Sequence, residues 1–300
     1  MTTRKSGPRV SVGMPVYNRE KYVGAAIEAH LNQTFSDFEL IITDNASTDH
    51  SEEICRSYAV NDPRIKYFRN PQNLGAAGNY RRCFELASGE YFRWTPSDDL
   101  VSLNLLERAV EILDSDPSVF VAYPRTKLID AAGNVTGDFD ENLHLMDERP
   151  SDRWRGVQRN LRLGNLHYGL NRADKFRKTG LMRNYIGGDF PLIAEMSLYG
   201  KFHEIQDAFF FRRMHQEASS AMKSTAEVMA FYDPHKHDRI FLYNWVHLGA
   251  HLRSIARAPI PLAEKMRIYG YEGKRMIWGR QILASEVGRA VVQAFRKLTN

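Results

Sequence analysis

Apolar runs separated by polar, turn-forming stretches dominate the first half of the chain. Val10–Met14 reads as a buried strand, and Phe38–Thr43 as a second. Between them Val23, Ile27 and Leu31 recur at i, i+4 and i+8, the spacing of one helix face, with Asn18 as its expected N-cap. Asp49 with Glu52 three places on resembles a capping box and predicts a second helix. Ile65–Phe68 predicts a short third strand, and Asn70–Gly75 a turn-rich loop. A third helix follows with Tyr80, Phe84 and Ala87 inward, then a fourth strand, Tyr91–Thr95. Leu103, Leu106, Val110 and Leu113 share a helical register in a helix expected to begin near Leu100, and Val119–Tyr123 is a further strand. Strand and helix alternating over short connections imply a mainly parallel sheet covered by helices on both faces.

The pattern weakens after residue 130. Asp130–Asn134 reads as a hairpin turn, residues 138–152 as an acidic loop, and Leu166–Leu170 as a strand. Gly187-Gly188-Asp189 introduces a helix running to about Tyr199, while Phe202–Ile205 and Ala208–Arg213 read as two strands. From about residue 224 the pattern is helical, broken at Pro234, Pro259 and Pro261. The expected division is an α/β unit over 1–220, in two parts at 8–125 and 126–220, and a helical extension over 221–300.

With 43% hydrophobic residues in 300, the chain has material for a buried core. Cys55 and Cys83 sit in helical pattern without metal-type spacing, as expected of packed thiols in a reduced, cytoplasmic chain. The first nine residues hold no apolar run, so no signal peptide is expected. The best candidate span, Ile240–Leu252, contains Asn244, His247 and His251 and falls short of the roughly 20 apolar residues a bilayer demands. The net charge of +5 is uneven: residues 251–300 hold ten Lys/Arg against three Asp/Glu. The basicity belongs to the tail, which argues against nucleic-acid binding by the main unit.

The candidate chemistry lies where the strands end. The first is followed by Pro15-Val16-Tyr17-Asn18, the second by Asp44-Asn45-Ala46-Ser47-Thr48-Asp49, and the fourth by Pro96-Ser97-Asp98-Asp99. Open parallel sheets build their ligand crevice at such carboxyl ends. Paired carboxylates there suit a hard divalent cation holding a diphosphate. No Gly-x-Gly-x-x-Gly, no phosphate loop ending in Gly-Lys-Ser/Thr and no Gly-x-Ser-x-Gly occurs, which disfavours dehydrogenases, P-loop nucleotidases and serine hydrolases. His235-Lys236-His237 reads as a charged turn rather than a zinc site.

Together with Asn73-Leu74-Gly75, these strand-end segments resemble the nucleotide-binding half of family 2 glycosyltransferases of the GT-A fold. The likeness is continuous over residues 8–125, looser to about 217, and stops there. It implies an α/β GT-A sheet and inverting transfer from a nucleoside-diphosphate sugar to a glycan, lipid-linked or protein acceptor, in polysaccharide or glycoconjugate assembly. It implies donor contacts at Pro15, Val16, Tyr17, Asn18, Asp44, Asn45, Ser47, Asn73, Gly75 and Ser97. By the same resemblance Asp98, with Asp99 and His215, holds Mn²⁺ or Mg²⁺, and Asp98 also faces the donor. Arg213 of Phe211-Arg212-Arg213-Met214-His215 matches a pyrophosphate contact, Arg81 faces the donor, and Asp189 matches the base. One departure stands out: many members carry an extra aspartate where this chain has Pro96.

Each residue also has a structural reading. Asp44 can organise its turn, Asp98 or Asp99 can cap the following helix, and Asp189 can cap its own. Arg81 can be a solvated helix residue, and His215 a packed one. Two other functions stay open on the same fold: a non-catalytic sugar-nucleotide or partner-binding module, and a nucleotidyltransferase. The latter calls for a Gly-rich basic first loop, which Pro15–Glu20 does not supply. In the tail, Leu283, Val287, Val291, Ala294 and Leu298 form an apolar stripe with Arg289 and Arg296 opposite. That pattern suits peripheral contact with the inner face of a membrane, packing on the main unit, or packing on another subunit of an oligomer.

Overall fold

The computed structural model describes residues 7–218, 225–232 and 242–299. His235-Lys236-His237, Pro234, Ile240 and the side chains of Arg296 and Leu298 lie outside the described part. Strands β1 (Val10–Val16), β2 (Phe38–Asp44), β3 (Ile65–Arg69) and β4 (Tyr91–Trp94) run parallel, with β1 between β2 and β4. Every residue of β1 and β2 is buried, as expected of parallel strands covered on both faces. Helices α1 (Val23–Leu31), α2 (Ser51–Asn61) and α3 (Gly75–Glu85) make the crossovers.

Beyond β4 the sheet becomes mixed. Strand β8 (Leu170–Arg172) joins β4 antiparallel, then come β6 (Val119–Ile129), β9 (Lys201–Arg213) and the two-residue β5 (Leu100–Val101). The order is β3-β2-β1-β4-β8-β6-β9-β5, and β7 (Val135–Phe139) hangs from β6 through the expected Asp130–Asn134 turn.

Several local expectations are corrected. Asn18 does not cap α1. Its backbone is left-handed (φ 51°), its Oδ1 accepts the Thr48 N–H at 2.8 Å, and the helix begins five residues later. Asp49 accepts the N–H groups of Ser51 and Glu20 at 3.0 Å, so it ties two loops together instead of closing a capping box. No helix begins at Leu100: that residue pairs with Phe211, and α4 (Leu105–Ser115) starts later, leaving Leu103 exposed. The two expected strands at 202–213 are one strand, and the break between them is a bulge where Pro124 faces Ile205 but Arg125 faces Phe209. The expected strand at Leu166–Leu170 is a 3₁₀ turn, Asn165–Tyr168, running into β8.

The remaining helices are α5 (Pro150–Asn160), α6 (Ala173–Phe176), α7 (Asp189–Met196), α8 (Thr225–Tyr232), α9 (Tyr243–Arg257), α10 (Leu262–Trp278) and α11 (Arg280–Thr299). Two apolar clusters fill the two faces of the sheet. One contains Val10, Val12, Met14 and Val16 with Ile27 and Leu106. The other holds Phe92, Trp94, Trp154 and Phe176, and is completed by Ile255, Ala258 and Ile268 from the C-terminal helices. Both thiols are free and buried, and burial pushes each up to about 12. Among the described residues no helix is long and apolar enough to cross a membrane.

Gly13 marks the tightest point beneath the site. A Cβ there would lie 2.6 Å from Cys83 Cβ and 3.1 Å from the Phe92 ring, so only glycine lets α3 approach β1. Gly13→Ala is expected to cost roughly 1–3 kcal/mol by overpacking. Thermal denaturation followed by circular dichroism should show a melting temperature lower by several degrees; an unchanged melt would contradict this packing.

Candidate active site

The carboxyl ends of β1, β2 and β4 open into a cavity of about 810 Å³. Its walls include Pro15, Val16, Tyr17, Asn18, Asn45, Asn73, Ser97, Asp98, Asp99 and Arg213, ten of the positions expected from the sequence. Pro96, where the extra aspartate is missing, lines it too. Asp44, Ser47, Gly75, Arg81, His215 and Asp189 are not part of the wall.

One part of the site is a hydrogen-bonded lattice of asparagines. Asn45 Nδ2 donates to Asn73 Oδ1 at 2.7 Å, and Asn45 Oδ1 accepts the Leu74 N–H at 2.9 Å and Asn70 Nδ2 at 3.0 Å. Asn70 also donates to Asn79 Oδ1, and Asn79 Nδ2 donates to the Thr43 carbonyl. Asn73 Oδ1 accepts the N–H of Gly75, whose left-handed backbone (φ 73°) opens α3. Gly75 therefore shapes the wall without belonging to it. Tyr17 stands at the mouth, 41% exposed, its ring available to a flat ligand.

Asp44 holds this wall up from beneath. It is fully buried, and its oxygens accept from Tyr67 Oη (2.7 Å), Arg69 Nη1 (2.5 Å) and the Ser47 N–H (2.9 Å). Ser47 in turn accepts the Asn18 N–H at 3.0 Å and so joins the two strand-end loops. The turn-organising reading of Asp44 is thus the one its contacts express.

Asp99, buried, and Asp98, half-buried, lie side by side in the cavity wall. Asp98 Oδ2 meets Arg19 Nε at 3.1 Å and His215 Nε2 at 3.2 Å. Burial works to raise the Asp98 carboxyl, but the His215 hydrogen bond and the Arg19 charge together hold it below the usual range. For Asp99, burial and then the charge of Asp98 push the carboxyl well above that range. Asp99 Oδ1 accepts the Arg213 N–H at 2.6 Å. Neither aspartate caps a helix, because β5 follows them.

Arg213 was expected to reach a pyrophosphate, and its guanidinium is engaged elsewhere. Its Nε donates to the Asp98 carbonyl at 2.8 Å, and its Nη1 to the carbonyls of Asp130 (3.2 Å) and Ala131 (2.9 Å). It braces the β6–β7 turn against the aspartates. Its neighbour Arg212, not singled out in the sequence, lines the cavity and donates to Asn165 Oδ1 at 2.6 Å. Arg19, Asn79, Tyr80 and Tyr168 are further wall residues that the sequence reading did not select. Their signal was position: Arg19 follows Asn18 directly, and Tyr80 stood on the inward face of its helix.

A divalent cation site can be tested on this donor set. Among the described residues no three His, Cys, Asp or Glu side chains form a ligand cluster. Asp98 and His215 do converge, and the buried His215 Nδ1 has no hydrogen-bond partner. A hard cation bound chiefly through substrate phosphates needs only one or two protein ligands, so the pair fits such an ion. Asp99, tied to the Arg213 N–H, fits less well.

Asp189 opens α7, half-buried, and lies against the 164–168 turn. A Cβ on Gly164 would come within 3.3 Å of its Oδ2. His167 of the same turn is buried, and its neighbour Tyr168 forms cavity wall. A second cavity of about 360 Å³ lies beyond Phe190, between α7 and helices α9–α11.

Comparison with known proteins agrees with this arrangement. A family model described as glycosyl transferase family 2 matches residues 11–176. Chondroitin synthase of Escherichia coli is 27% identical over 225 residues, covering 74% of this chain and 31% of the synthase. The chain spans less than half the length of the curated relatives it matches. Among solved structures, S. aureus TarS 1-349 in complex with UDP-GlcNAc superposes with a TM-score of 0.65 at 18% identity, over 91% of this chain and 74% of that one. The mannosyltransferase PcManGT of Pyrobaculum calidifontis, in complex with GDP-Man and Mn²⁺, gives 0.51 at 15% identity, over 98% and 88%. These likenesses establish the GT-A fold. With more than half its length matched by the family model, the chain belongs to glycosyl transferase family 2.

Proposed function

We propose that the protein transfers a sugar from a nucleoside-diphosphate donor to a hydroxyl of a saccharide or lipid-linked acceptor, with inversion and with help from Mn²⁺ or Mg²⁺. The observation that carries this reading is the half-buried Asp98 carboxylate of the cavity wall, met by Arg19 and His215. The donors bound in the two structural relatives, UDP-GlcNAc and GDP-Man, are of the same chemical class.

On this reading the exposed ring of Tyr17 and the strand-end backbone of Pro15–Asn18 receive the base, and Asn45 and Asn73 border the ribose. Asp98 with His215 would hold the cation, which when bound supplies Lewis-acid neutralisation of the departing diphosphate. Arg19 and Arg212 bring guanidinium charge to the same wall, where fixed donors stabilise the anion that develops. The bond between the sugar's anomeric carbon and the phosphate oxygen breaks as the acceptor oxygen attacks from the opposite face. Asp189 takes the acceptor proton, which requires the acceptor to enter beside the 164–168 turn. The relative that is a chondroitin synthase supports a glycan as acceptor and polysaccharide assembly as the setting.

Calorimetric titration with UDP, GDP and dTDP, each with and without Mn²⁺, is expected to show metal-dependent binding of one nucleotide, lost in Asp98→Asn. Binding of none would favour a scaffold without transfer chemistry. Asp189→Asn is expected to leave donor affinity within about twofold while lowering transfer by roughly 10²–10⁴-fold, the usual worth of a general base. Equal loss of binding and transfer would remove Asp189 from that role.

A further inference from the structure

The last fifty residues sort their charges by direction. Their three carboxylates are all buried. Glu264 Oε2 accepts the Ser151 N–H at 2.9 Å, Glu272 Oε1 accepts Trp154 Nε1 at 2.8 Å, and Glu286 Oε2 accepts the Asn244 N–H at 3.1 Å. On α10 and α11 Arg267, Lys274, Arg280 and Arg289 are exposed, Arg267 paired with Glu264, whereas Arg257 of α9 reaches Glu195. This surface therefore shows positive charge with its own anions withdrawn into the fold.

Large apolar side chains share that outer surface. At the α10–α11 junction Ile277 is 61% exposed, Trp278 72% and Ile282 58%. Along α11, Leu283, Glu286 and Ala290 are half-buried or buried, whereas Val287, Val291 and Val292 are exposed. The apolar stripe expected from the sequence is thus divided, one edge packed and one edge bare. Lys274 lies one turn before Trp278, and Arg289 one turn before Val292, so cations flank the apolar surface along both helices.

We propose that this face of α10 and α11 docks on an anionic lipid surface. Valines and isoleucines enter the acyl boundary, Trp278 sits at headgroup level, and the flanking cations meet lipid phosphates. A second copy of the chain is a poorer occupant, because a two-fold contact would set one cationic face against another. The proposal does not rest on glycosyl transfer, since lipid binding needs neither donor nor metal.

The test is co-sedimentation of the full chain with vesicles of phosphatidylcholine alone and of phosphatidylcholine with an equal part of phosphatidylglycerol. Binding is expected on the anionic vesicles, falling as salt is raised, with little on the neutral ones. Val291→Asp should abolish it. Lys274→Gln with Arg289→Gln should weaken it roughly 30-fold, since each cation at an anionic surface contributes about fivefold. All these side chains are exposed, so the melting temperatures should match wild type. Absent binding, equal binding to both vesicle types, or binding unaffected by either variant would overturn the proposal. A wild-type dimer that Val291→Asp turns into a monomer in sedimentation equilibrium would overturn it too, by giving the face to a second copy.

Discussion

Two adjacent carboxylates, Asp99 buried and Asp98 half-buried, set the terms for the rest of this fold. Like charges so close cannot both be stable without cations or donors aimed at them. Asp98 and Asp99 receive theirs from distant parts of the chain: Arg19 after the first strand, and Arg213 and His215 at the end of the last. That convergence requires β9 to run back beside β5, the strand that follows the two aspartates, and the Leu100–Phe211 pairing is the register that delivers it. The mixed half of the sheet can be understood as the scaffold that carries Arg213 and His215 back to two aspartates on the parallel half.

Two kinds of side chain line the cavity. Around Asn45, short amide side chains bond to each other and to backbone over small distances, and Asp44 braces them from below through Tyr67 and Arg69. A network so dense in hydrogen bonds is stiff. Long side chains, Arg19, Arg212 and Tyr168, line the same cavity together with Phe231 of α8.

The C-terminal helices belong to the same body. Trp154, Glu272, His251 and Arg275 form a buried polar group joining α5, α9 and α10, and Glu286 satisfies the first N–H groups of α9. Using acids as internal fasteners leaves the cations outside. One set of contacts therefore attaches the helices and gives their outer surface its charge.

The strand–helix alternation through residue 123, the strand-end motifs and the ten cavity-wall positions were legible in the sequence, because each rests on local periodicity or on residues that end a strand. The bulge in β9 was visible only as a gap between two apolar runs. The true start of α1, the short strand after Asp99 and the single long β9 were not legible, since each depends on a partner far along the chain. The same distinction separates the site residues. Polar residues at strand ends announce a crevice by themselves. Whether a given side chain faces that crevice or braces it is decided by long-range hydrogen bonds, as with Asp44 beneath Tyr67 and Arg69, or Arg213 against three carbonyls. The sequence alone determined the family, through its strand-end motifs, and the parallel half of the sheet, through short-range pattern. Only the tertiary structure decided which cations meet Asp98, whether Arg212 joins the cavity wall and which edge of the last helix stays bare, because each is settled by contacts between residues far apart in the chain.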